Sequence, residues 1–326
     1  MPSLLLLLAA LLALIAAAAF AYFGYAYYRF HAVPLTAQDC SPAGDTAEVG
    51  CFRLHIRELG AEHGGVPIVV LHGGPGHSSL SFKDGLDFLA EHRRVLLYDQ
   101  RGSGLSEVKP GADAYSVSAL VEELDEIRRT VLHADTMDVI GHSAGGALAQ
   151  RYVLEHPDHV RRMVLVGSTS ANNNMSNTLV WRVLGPGLYA TAMGLPPADP
   201  IRADEWFRTD QVTSDSRRLF DPTDPTPLHD TGPITFATWF AVSQSLAGDD
   251  RAARLRHQRT PTLVVYGEAD SPYTGARAAK RIASTLPEAT AVCVPRSGHW
   301  PFLENPVEFR RIVGEFLIDH DAASPR

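Results

Sequence analysis

Met137-Asp138-Val139-Ile140-Gly141-His142-Ser143-Ala144-Gly145-Gly146-Ala147-Leu148 is the stretch that decides how the rest of the chain is read. A short, mostly apolar run ends at Gly141, and a small-residue helical pattern starts at Ala144 and lasts to about Leu154, ahead of Pro157. Gly141-His142-Ser143-Ala144-Gly145 therefore sits where a strand turns at once into a helix. Such a turn holds its serine in a strained backbone conformation. Side chains two residues to either side would collide, so Gly141 and Gly145 suit those positions. The Ser143 hydroxyl is carried clear of the sheet, near the positive end of the following helix. The pattern alone is weak, arising by chance in roughly one chain in ten of this length at average glycine and serine usage. Its weight comes from what surrounds it.

Working outward, apolar runs of the same kind occupy 66–71, 95–98, 163–166, 263–266 and 291–294. Short continuous apolar runs signal strands buried on both faces, as in a mostly parallel sheet. Helical spacing lies between them, most clearly over 117–131 and 144–154. Alternating strands and helices predict a doubly wound α/β sheet. The alternation breaks once, over 170–259, where aromatics such as Trp181, Trp206, Phe236 and Trp239 mix with acids and Pro/Gly punctuation. This reads as a helical insertion. At the carboxyl edge of a sheet it would cap the ligand crevice; the alternative is a side domain unrelated to substrate. The expected organisation is thus an N-terminal apolar segment (1–30), a first core part (31–169), the cap (170–259) and a second core part (260–326).

Two further strand ends carry chemistry. Asp270 follows the run 263–266, and His299 follows the run 291–294. Function gathers just past the carboxyl ends of strands in open α/β sheets. A serine hydroxyl is a poor nucleophile at neutral pH. His299 is expected to take its proton during attack and return it to the leaving group, while Asp270 fixes the tautomer and stabilises the imidazolium. Glu268 is a rival for the acid. His320 falls in the C-terminal tail, and the His142 side chain is expected to point away from the hydroxyl. The tetrahedral oxyanion needs backbone donors. The amide of Ala144 is one. The other is expected from His72-Gly73-Gly74-Pro75-Gly76, with Gly74 preferred and Gly73 next. No His/Asp/Cys cluster has ligand spacing, so neither metal nor cofactor is expected.

The 326 residues carry a net charge of −8, and without a basic stripe the chain is a poor partner for nucleic acid. Residues 3–28 contain no charge. A helix needs about 20 apolar residues to cross a bilayer, and Tyr22, Tyr25, Tyr27 and Tyr28 then gather before Arg29, as aromatics do at a membrane boundary. A retained anchor is the first reading, a cleaved signal peptide the second and a buried core helix the third. Arg29 alone favours a cytoplasmic catalytic part. A Cys40–Cys51 bridge would need an oxidising compartment and favours an extracytoplasmic one, which is the side expected here. Cys293 reads as a buried small hydrophobe.

The loop His72-Gly73-Gly74-Pro75-Gly76, together with Asp99-Gln100-Arg101-Gly102-Ser103-Gly104-Leu105-Ser106, resembles the prolyl aminopeptidase (proline iminopeptidase) branch of the α/β-hydrolases, whose chain order Ser, acid, His is also found here. The likeness covers about 50–170 and 260–318. It implies an α/β-hydrolase fold, an oxyanion role for the first loop and a structural role for the second, with Asp99 and Arg101 as an internal ion pair or loop brace. His142 and Ala144 depart from the family's usual elbow, Gly-Gly-Ser-Trp-Gly, which leaves the substrate open. In that branch acidic cap residues hold the substrate's amino group; Glu205, Asp210, Asp215 and Asp230 are acids available in this insertion. The expected function is a serine hydrolase acting on a peptide or small molecule, either aminopeptidase-like or a carboxylesterase, lipase or thioesterase. Carbon–carbon or lactone hydrolysis and a non-catalytic binding protein are further alternatives. Dehalogenase and epoxide hydrolase relatives place Asp where Ser143 stands.

Overall fold

The computed structural model describes residues 2–40, 44–170, 179–246 and 251–319; His320, and Ser41 and Pro42 between the two cysteines, lie outside them. Eight strands form one sheet: β1 (Asp45–Val49), β2 (Phe52–Leu59), β3 (Ile68–Leu71), β4 (Val95–Tyr98), β5 (Met137–His142), β6 (Val160–Val166), β7 (Thr262–Gly267) and β8 (Ala289–Val294). Their spatial order is β1-β2-β4-β3-β5-β6-β7-β8. From β4 across to β8 neighbours run parallel, whereas β2 is antiparallel to both β1 and β4.

The helices are α1 (Pro2–Ala32), α2 (Val117–Glu126), α3 (Ala144–Glu155), α4 (Leu179–Met193), α5 (Pro200–Ser216), α6 (Phe236–Leu246), α7 (Ala252–Leu255), α8 (Ala276–Thr285), α9 (Pro301–Glu304) and α10 (Pro306–Gly314). One face of the sheet is covered by side chains such as Leu120, Leu148, Tyr152 and Ile282 of α2, α3 and α8. The other meets Phe82, Leu86, Phe302, Phe309 and Val313. Each fully buried Leu or Phe of these layers contributes about 1.5–3 kcal/mol, which explains why the central strands are apolar on both faces. Ser116 caps α2 by accepting from the Ala119 amide at 3.2 Å, and the helix predicted over 117–131 ends in a wider π turn, Ile127–Val131.

Four helices, α4 to α7, fill the chain between β6 and β7, and among the described residues no strand joins them. A third apolar cluster, with Phe207, Phe236, Trp239 and Phe240 at its centre, holds α4, α5 and α6 together, whereas α7 joins the first cluster through Ala252 and Leu255. The apolar part of α1 is exposed, from Leu7 to Phe20, so the buried core helix reading does not hold. One 26-residue stretch, Leu7–Ala32, is long and apolar enough to cross a membrane. Only the end of α1 is buried: Ala26 and Phe30 join the third cluster.

All three thiols are free. Cys51 lies in the exposed turn between β1 and β2, and Cys40 is buried. The bridge that favoured an oxidising compartment is therefore absent, and Cys293 is half-buried where full burial was expected.

Candidate active site

β5 ends at His142, and α3 begins at Ala144. Between them Ser143 has φ 54° and ψ −115°, in the region that L residues avoid and that costs of order 1–3 kcal/mol unless the surroundings enforce it. They do enforce it. The Ser143 amide donates to the Val166 carbonyl at 2.9 Å. A Cβ on Gly145 would lie 2.3 Å from the Leu71 carbonyl oxygen, and one on Gly141 would lie 2.6 Å from the Gly145 carbonyl oxygen. The sheet and α3 thus touch through bare backbone.

Asp270 and His299 emerge from the loops after β7 and β8 and meet at 2.9 Å, Nδ1 of the imidazole to Oδ2 of the carboxylate. The other carboxylate oxygen accepts from the Ser271 amide (2.7 Å) and the Thr274 hydroxyl (2.8 Å). Burial works to raise the Asp270 carboxyl, but His299, Arg218 and these hydrogen bonds hold it below its usual range. An ionised Asp270 accepts a hydrogen bond from Nδ1–H, which holds the proton on that nitrogen, so neutral His299 presents a lone pair at Nε2. Burial first, and the Arg218 guanidinium second, push the His299 imidazole down to about 4, against the pull of Asp270. Behind this pair a Cβ on Gly167 would lie 2.9 Å from Nδ1. Glu268, the rival acid, accepts from the Arg296 amide at 2.9 Å.

Ser143 and His299 line one cavity of about 40 Å3 together with Gly73, Gly74 and His77 from the loop after β3. Ala144 opens α3 directly beyond Ser143. His72 braces the glycine loop, its Nδ1 against the Gly73 carbonyl (2.8 Å) and its Nε2 accepting from the Gln100 amide (3.0 Å). Asp99 and Arg101 do not pair with each other. Asp99 accepts from the Ser78 hydroxyl and from the amides of Ser79 and Leu105, whereas Arg101 binds the buried Glu123 at 2.8 Å. The two side chains brace different segments because Asp99 points into its own turn and Arg101 crosses to α2. His142 belongs to the same cavity wall. Its ring lines the cavity, lies 4.6 Å from the His299 ring, and donates from Nε2 to the His299 carbonyl at 3.0 Å.

The chain between β6 and β7 supplies Gln211, Asp215 and Arg218 to this cavity; sequence reasoning singled out Asp215 but missed Gln211 and Arg218. Arg218 spans Asp215 (3.3 Å) and the Thr274 hydroxyl (3.1 Å), and its carbonyl accepts from the His299 amide at 2.8 Å. Burial raises the Asp215 carboxyl to about 6, against the pull of Arg218. Of the other cap acids singled out, Glu205, Asp210 and Asp230 do not line the cavity. Glu304 was also missed. It accepts from the Gly298 and Trp300 amides (3.0 and 3.1 Å) and so fixes the loop on both sides of His299. No motif marks these residues; only the folded path of the chain brings them in.

Elsewhere, ligand atoms of Asp125, His156 and His159 lie within 4.8 Å of one another. The Asp125 oxygens already accept from Arg128, Arg129 and the Tyr152 hydroxyl, and two guanidinium groups oppose a bound cation.

Residues 66–306 match the family described as alpha/beta hydrolase fold. The chain belongs to the α/β-hydrolases. Among curated relatives of this hydrolase is the proline iminopeptidase of Heyndrickxia coagulans, 27% identical, covering 81% of this chain and 95% of the relative. The 2-hydroxy-6-oxo-2,4-heptadienoate hydrolase of Pseudomonas putida is also 27% identical, covering 83% and 95%. Solved structures of the same fold include the enol-lactonase of Burkholderia xenovorans, with a TM-score of 0.66 and 21% identity over 84% of this chain and 99% of that one. The proline iminopeptidase of Mycobacterium smegmatis has a TM-score of 0.63 and 22% identity over 87% and 100%.

Proposed function

We propose that this hydrolase works through a Ser143–His299–Asp270 triad and an acyl-enzyme intermediate. The observation that carries the reading is the 2.9 Å contact between Asp270 and His299, with His299 and Ser143 in the wall of one small cavity. His299, neutral at pH 7, removes the Ser143 proton as the hydroxyl attacks an acyl carbon. The Gly74 and Ala144 amides, with Gly73 as the alternative to Gly74, receive the oxyanion. The imidazolium then protonates the leaving group. Water repeats the sequence to free the acid. Gly141 and Gly145 keep the elbow tight; His72, Asp99 and Arg101 keep the surrounding loops in place.

The first substrate reading is aminopeptidase-like, cleaving an N-terminal residue. It is supported by the proline iminopeptidases among the relatives and by an acid, Asp215, in the cavity wall. The second is a small or lipidic acyl ester, favoured by an apolar helix docked on the segment over the site. In both, residues 170–259 form the cap, and α1 anchors the protein in a membrane.

A fluorophosphonate probe tests the triad: wild type labels and Ser143→Ala does not, and labelling of the variant would remove Ser143 from its role. Parallel assays with proline p-nitroanilide and p-nitrophenyl butyrate separate the substrates. Turnover of the ester alone would overturn the aminopeptidase reading.

A further inference from the structure

α1 docks on α4, which carries an apolar stripe that is exposed among the described residues. Leu184 is 39% and Leu188 47% exposed, and Ala192 is exposed on the same side, at helical spacing. Beyond α1, such large exposed hydrophobics are few among the described residues, and these two are successive turns of one helix.

The contacts with α1 set the level of that stripe. A Cβ on Gly187 would come within 2.2 Å of the Phe23 ring, and the Arg29 guanidinium donates to the Pro196 carbonyl. Phe23 thus meets Gly187, while six residues on Arg29 meets Pro196, so α1 and α4 run in the same direction. At 1.5 Å per residue, Leu184 sits about one turn before Phe23 and Leu188 beside it. That level is where the aliphatic run gives way to Tyr22, Tyr25, Tyr27 and Tyr28, all part-exposed. Tyrosines gather at the boundary between acyl chains and headgroups, and an exposed leucine stripe at that depth buries its apolar area in lipid.

We propose that α4 is an interfacial helix, with Leu184 and Leu188 seated in the same leaflet that α1 enters, so that the cap rests on the bilayer. The proposal rests on reading α1 as membrane-embedded, and not on the triad or the substrate. The path from lipid to site is short. Tyr189 of α4 packs edge-on against Trp239 of α6 at 5.2 Å. The Trp239 backbone in turn lies where a Cβ on Gly76, at the end of the glycine loop, would come within 3.0 Å.

The test uses the full chain in phosphatidylcholine–phosphatidylglycerol vesicles, with its native cysteines replaced and one cysteine added for an environment-sensitive fluorophore. Leu188→Cys reports on α4, Leu14→Cys on α1, and Glu62→Cys on the exposed loop before β3, at the opposite end of the sheet from the cap. Lipids spin-labelled near the headgroup are the quencher. The expected result is loss of most emission at 188, with a blue-shifted spectrum, and little loss at 62. A label at 14 shielded from water beside one at 188 as wet and unquenched as that at 62 overturns the proposal and leaves the stripe to a protein partner or to solvent. If 14 is also wet, α1 is not in the membrane, and the proposal falls with that reading.

Discussion

Gly145→Ala probes the backbone junction between α3 and the end of β3. The added methyl would sit 2.3 Å from the Leu71 carbonyl oxygen and 2.6 Å from that of His72. Close C–H···O contacts settle near 3.3 Å, so α3 and the end of β3 must separate by about 1 Å. Both partners are backbone within packed elements, and overpacking of that kind costs about 1–3 kcal/mol. The separation also moves the Gly73-Gly74 amides, which follow directly on His72, away from Ser143. A misplacement of about 1 Å at reacting groups costs on the order of 10²-fold in rate. The expected variant melts several degrees lower and is labelled by a fluorophosphonate about 100-fold more slowly. Gly314→Ala, in α10 with nothing within 4 Å of the new methyl, is the control and should gain about 0.5–1 kcal/mol. Wild-type melting and labelling rates in Gly145→Ala would refute the argument that bare backbone contact sets the oxyanion geometry.

Two further expectations follow from the electrostatics. His299 serves as a base only when neutral, and burial with Arg218 pushes it down to about 4. Activity should therefore persist as pH falls through 6.5 and disappear near 4; Arg218→Met should move this acid limb upward. A wild-type limb at 6.5 in the pH dependence of labelling would contradict the assignment. Glu123→Ala strands the Arg101 guanidinium, whose partner is wholly buried. The loss should be about 3–5 kcal/mol in urea unfolding, and a change under 1 kcal/mol would mean that Arg101 finds another partner.

The parts of this molecule that were legible in sequence share a physical cause. β3 to β7 are sandwiched between helices, so both faces are largely apolar and each strand shows as an apolar run; β8, at the sheet edge, is mostly half-buried but keeps an apolar run over 291–294. β1 and β2 escaped notice because they are antiparallel and half-solvated, carrying Asp45, Glu48, Arg53 and Arg57 among their residues. Ser143, Asp270 and His299 were readable because each lies just past the end of a recognisable strand. Arg218 and Glu304 were not, since their roles depend on how the connection between β6 and β7 and a short helix lie against the His299 loop. Arg101 and Glu123, 22 residues apart on different elements, pair for the same reason.

The cavity at Ser143 ties substrate room to the bracing of His299. Its 40 Å3 has room for only a few waters, at the roughly 10–15 Å3 that each needs, and is small for a peptide or an ester beside Gln211, Asp215 and Arg218. A shift of Arg218 that widened the cavity would also draw its carbonyl away from the His299 amide. One residue thus links the space left for a reactant to the posture of the imidazole.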